Sequence, residues 1–174
     1  MFALLFAAIA CSGCTSGRGY VDVMVTDAPG AIDDFRSLTV SIKQVKIHRA
    51  DIAGDEDPEG NETSDGWRLV DVDASFDLRK LLDGNVTSLV NQSLPTGRYT
   101  QIRLVVTKAD GVLTDGSTVE VRTPNRILKI VKSFDVESGK VTTFVADINV
   151  VQTGKSGGYQ LQPVVGKAIV IGPR

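Results

Sequence analysis

Cysteine, histidine and aromatic side chains are scarce in this sequence, and each scarcity removes a class of chemistry. Of 174 residues only two are cysteines, Cys11 and Cys14. Both stand in the first fourteen positions, so no disulfide can staple distant parts of a fold. Their Cys-x-x-Cys spacing lacks the βαβ surroundings of a thioredoxin-type motif. Zinc would need two further ligands, and His48 is the sole histidine. Aromatics make up 6% of the chain, with Trp67 the one tryptophan, a thin supply for stacking bases or sugars. Lysine and arginine number 19 against 21 acids, a net charge of −2, which leaves no basic footprint for nucleic acid. Neither a glycine-rich phosphate loop ahead of a helix nor a nucleophile elbow occurs.

Long apolar runs are also missing after residues 1–10. That run, Met-Phe-Ala-Leu-Leu-Phe-Ala-Ala-Ile-Ala, is too short to span a bilayer but has the length of a secretory h-region. Small residues and cysteines follow, as in a lipoprotein signal. Cys14, preceded by Ser12-Gly13, is the expected lipid acceptor, and Cys11, preceded by Ala8-Ile9-Ala10, is the alternative. Two acyl chains supply the anchor that stable membrane attachment needs. The expectation is therefore a leader and linker over 1–18, a domain over 19–172, and an exported protein lipid-anchored at the cell surface or in the periplasm.

What the sequence has in quantity is alternation. Val21, Val23 and Val25 alternate with Asp22, Met24 and Thr26, the pattern of a half-buried strand. In 37–49, Leu38, Val40 and Ile42 occupy even positions but Val45 and Ile47 odd ones. A β-bulge at Lys43-Gln44 keeps all five on one face. Pro95-Thr96-Gly97 turns the chain into a long strand whose Ile102, Leu104 and Val106 face the core. Asp110-Gly111 and Asp115-Gly116 read as turns. Residues 78–82 have helical spacing, with Asp77 as cap and Gly84 as stop. Residues 86–94 read as a connection packed on the core edge. Residues 159–171 read as one closing strand in which Pro163 marks an edge or a bulge. The sum is an all-β fold, an antiparallel β-sandwich of about eight to ten strands with at most one or two short helical turns.

Residues 50–66 form a polar insert, too acidic to bury a core. Asp55, Asp57 and Glu62 there have the oxygen chemistry of a calcium loop without the EF-hand spacing, so no cofactor is required and Ca²⁺ is the one metal to test. Tyr99, Gln101 and Arg103 alternate outward from the core positions and form a candidate ligand face for a glycan or partner strand. His48 points outward at a strand end, with no nucleophile signature to accompany it as a catalytic base. Asn61, Asn85 and Asn91 head glycosylation tripeptides in expected loops.

Four segments carry a family likeness: Val25-Thr26-Asp27-Ala28-Pro29, Val40-Ser41-Ile42-x-x-Val45-x-Ile47-His48, Leu94-Pro95-x-Gly97-x-Tyr99-Thr100-Gln101-Ile102-Arg103-Leu104 and Gly158-Tyr159-x-Leu161-x-Pro163-Val164. Together they resemble the prokaryotic extracellular family called domain of unknown function 4382, often found behind a lipoprotein signal. The resemblance implies a surface-exposed β-sandwich and brings no activity or functional residues with it. The functional expectation is a non-catalytic, membrane-anchored binding or structural module. The alternatives are a calcium-dependent or glycan-binding adhesion module and an extracellular hydrolase.

Overall fold

In the computed structural model, residues 17–50, 66–154, 158–164 and 168–172 are described. Among them lie ten strands: β1 (Arg18–Asp27), β2 (Phe35–Arg49), β3 (Trp67–Asp77), β4 (Thr87–Pro95), β5 (Gly97–Leu113), β6 (Thr118–Glu120), β7 (Ile127–Val136), β8 (Val141–Thr153), β9 (Gly158–Pro163) and β10 (Ile169–Ile171). They form two sheets. The first runs β4-β1-β8, with β9 and β10 end to end along the far side of β8. The second runs β3-β2-β5, with β6 and β7 sharing the far side of β5 in the same way. Each sheet is thus four strands wide, and its split edge position is filled by two short strands.

The period-two pattern explains the core. Val21, Val23 and Val25 of β1 and Phe144, Ala146 and Ile148 of β8 meet Leu38, Val40, Ile102 and Leu104 from the second sheet in one buried cluster. The all-β sandwich is therefore as expected, with one correction to its antiparallel character. β1 pairs with β8 in parallel, Tyr20 beside Val141 through Asp27 beside Ile148. The remaining strand pairs are antiparallel.

The bulge in β2 is where the parity switch put it. Its register slips between Ile42 and Gln44 against both neighbours, and Leu38, Val40, Ile42, Val45 and Ile47 are all buried. Asp77 caps the 3₁₀ turn Leu78–Leu81, its carboxylate accepting from Arg79 N at 3.2 Å and from Leu38 N at 2.9 Å. Gly84 then takes φ +82°.

Three local expectations are corrected. Residues 87–95 are not a mere connection but the edge strand β4, hydrogen-bonded along β1. Asp110-Gly111 does not turn, since β5 runs through to Leu113. Gly111 is instead a close-approach site, where an added Cβ would stand 2.3 Å from a ring carbon of Phe35. The closing segment is two strands, β9 ending at Pro163 and β10 starting at Ile169, and Pro163 lies on the sheet edge, with Val164 N still donating to Asp147 O of β8 at 2.9 Å.

Candidate functional site

β2 ends and β3 begins side by side, so His48 pairs with Trp67 on one flank and with Gln101 of β5 on the other. Lys46 and Arg103 pair in the next outward row. These residues share the solvent side of the second sheet, because the alternate positions Val45, Ile47, Ile102 and Leu104 are buried. Arg103 reaches diagonally over β2, placing its guanidinium carbon 4.2 Å from the centre of the Trp67 ring. The His48 ring lies 4.8 Å from the same indole. With its amide oxygen facing Arg103, Gln101 accepts from Nε at 2.6 Å and from Nη2 at 3.2 Å. His48 Nδ1 is 3.0 Å from Thr100 Oγ1.

The indole is therefore not a bare stacking surface. It serves as a bed for a cation, an interaction of about 0.5–2 kcal/mol depending on exposure. Its Nε1 is buried without a hydrogen-bond partner among the described residues. Such a patch sets an amide beside a guanidinium that the amide itself orients, groups whose chemistry suits hydroxyls and carboxylates.

Tyr99 does not belong to this face, which corrects the grouping of Tyr99 with Gln101 and Arg103. The register of β5 against β7 slips between Tyr99 and Gln101, so one residue of alternation is lost there. Tyr99 turns inward, is fully buried and stacks on Phe134 with ring centres 5.4 Å apart. Its hydroxyl donates to Pro95 O at 2.9 Å, four residues upstream. That is a tyrosine corner, the device that pins a chain where it crosses between the sheets of a sandwich. Gly97 sits inside the corner at φ +146°, and an added Cβ would come within 3.1 Å of the Arg49 guanidinium.

Among the other candidates, Asn85 is exposed in the loop before β4, its amide donating to Leu82 O at 2.9 Å. Asn91 is exposed too, but within β4 rather than in a loop. Cys11, Cys14, Asp55, Asp57, Asn61 and Glu62 lie outside the described residues. No group of three histidine, cysteine or acidic side chains among the described residues is placed to hold a metal.

A second polar feature went unnoticed in the sequence. The inward alternation of β1 ends on Asp27, which is 7% exposed and has no hydrogen-bond partner for either carboxylate oxygen among the described residues. Burial above all, then Asp147 and Asp33, push its pKa up to about 7, against a lowering pull from Arg79. Arg79 itself bonds Ile32 O at 3.0 Å and Asp33 Oδ1 at 3.2 Å, joining the 3₁₀ turn Leu78–Leu81 to a second one, Ala31–Asp34. Strict alternation was the available signal, since Asp27 continues the series Val21, Val23, Val25.

These features define a two-sheet β-sandwich with a tyrosine corner and a patch of polar and aromatic residues on one outer face. The chain belongs to the family described as Domain of unknown function (DUF4382), whose family model matches residues 18–163. No curated protein and no solved structure matches it.

Proposed function

We propose that this protein is a non-catalytic binding module, displayed by a lipid anchor ahead of residue 17, that meets a surface glycan or protein through the outer face of its second sheet. The observation behind this reading is the patch of Trp67, His48, Gln101 and Arg103. Three adjacent strands supply these side chains, and each is held by another, so the patch rests on rigid elements rather than on a loop. The anchor rests on the apolar run 1–10 and on Cys14, with Cys11 as the alternative.

Trp67 is the only tryptophan, so tryptophan emission, excited beyond the tyrosine band, reports on this face alone. Titration with a panel of surface polysaccharides should give a saturable emission change that Arg103→Ala abolishes while far-ultraviolet dichroism is unchanged. Saturation that survives Arg103→Ala would place the partner elsewhere. A calorimetric titration with Ca²⁺ separates the calcium-dependent version, which is removed by zero heat and an unmoved melting temperature. Mass spectrometry of the mature N-terminus should find diacylglycerol on Cys14 or Cys11, and an unlipidated terminus ends the anchoring proposal.

A further inference from the structure

The edge of β5 is left uncovered at one point. β6 pairs with it over Asp110, Gly111 and Val112, and β7 over Gly97 to Val105. Between them, at residues 106–108, β5 bulges: its register against β2 slips between Lys108 and Val106, and the edge is covered again where Val121 N donates to Ala109 O at 2.8 Å. The chain between β6 and β7 swings around this opening and leaves a cavity of about 190 Å³. Lys108, Glu120, Arg122, Thr123 and Arg126 line it.

Four features of this gap converge. Lys108 is engaged by Asp110 at 2.5 Å and lies in the field of Glu120. Arg122 and Arg126 are exposed and form no ion pair among the described residues, so the surplus charge at the gap is theirs and positive. The Thr123 hydroxyl oxygen is buried and has no hydrogen-bond partner among the described residues. Asn125 and Arg126 both take left-handed backbone, φ 50° and 56°, a conformation that costs an arginine and that structures keep where a ligand is clamped. The base of Arg122 is fixed as well. Its N–H donates to Tyr159 O at 2.9 Å and its carbonyl accepts from Leu161 N at 2.8 Å, so the loop is tied to β9 of the other sheet.

We propose that this gap binds a tetrahedral oxyanion, phosphate or sulfate, free or as an ester group on a polymer. Arg122 and Arg126 present their forks to its oxygens, and the Thr123 hydroxyl donates the hydrogen bond it otherwise lacks. The volume is roughly six times the ~30 Å³ share of a liquid water, enough for one such ion and part of its hydration. The site is separate from the Trp67 face, and either proposal can fail alone.

The test titrates the protein with inorganic phosphate and with sulfate at low ionic strength, following amide chemical shifts, with chloride as control. A parallel arm uses a sulfated or phosphorylated oligosaccharide. Saturable shifts at residues 107–109 and 121–126 are expected in at least one arm. Arg122→Gln/Arg126→Gln should weaken binding at least tenfold. Thr123→Val, which keeps the shape and removes the hydroxyl, should weaken it severalfold. If the double variant fails to fold, Thr123→Val alone decides. Oligosaccharide binding at least tenfold tighter than the free ions assigns the ester source, and equal affinity assigns the free ion. The proposal is overturned if no arm saturates, or if saturation is unmoved in these variants.

Discussion

Tyr99 shows how one hydroxyl can hold a crossing between sheets. Replacing it with phenylalanine keeps the stack on Phe134 and removes the bond to Pro95 O. The expected loss is about 1–2 kcal/mol, read from the urea midpoint at unchanged slope. Gly111 is constrained from the opposite direction. Alanine there must displace the buried ring of Phe35, so a loss of about 1–3 kcal/mol is expected. The same change made on a Phe35→Leu background should cost less, and equal costs in both backgrounds would remove the steric account.

Asp27 couples stability to pH. Its folded pKa of about 7 lies above the ordinary 3.8, so between those values the folded state keeps a proton that the unfolded chain has released. The stabilisation is complete below 3.8 and is lost as pH rises through about 7. Asp27→Asn should therefore flatten the fall in melting temperature between about pH 5 and pH 8 and leave the variant more stable at pH 8. An unchanged pH slope would show that another group carries it.

At the scale of the strand, β2 offers a paired test. Deleting Lys43 removes the bulge residue yet leaves Leu38, Val40, Ile42, Val45 and Ile47 in strict alternation, so the variant should fold with a lowered melting temperature. Inserting one alanine after Gln44 also leaves the five side chains in alternation, but it slides Val45 and Ile47 two places along β5 and should lower the melting temperature further. Similar behaviour of the two variants would contradict the register argument.

The bulge was legible because buried side chains changed parity, and a change of parity leaves a mark in composition. The slip after Tyr99 left none. Tyrosine suits either face, and only the bond to Pro95 O shows which one was taken. β4 was hidden for a related reason, since only Leu94 of its side chains is fully buried and an edge strand needs no strong alternation. Gln101 and Arg103 could be placed on the outer face from alternation alone. Their junction with Trp67 and His48 required the pairing of β2 with β3 across the acidic insert. The insert's composition suits an exposed hairpin loop or a disordered segment, and only the first of these makes His48 and Trp67 neighbours.

At the scale of the molecule, sequence order and spatial order disagree. β1 lies inside the first sheet between β4 and β8, so the N-terminal strand cannot be completed until residues 141–148 arrive. Such long-range pairing predicts slow folding, milliseconds to seconds rather than microseconds, measurable by stopped-flow refolding.

The same placement bears on load. A tether before residue 17 would pull β1 along its own axis, against the antiparallel ladder to β4 and the parallel ladder to β8 at once. Both rows of bonds then resist in shear, and none can be unzipped singly from a free edge. With such a tether, a strand buried in mid-sheet would make the domain a mechanical clamp, its grip at the root outlasting that of either split edge.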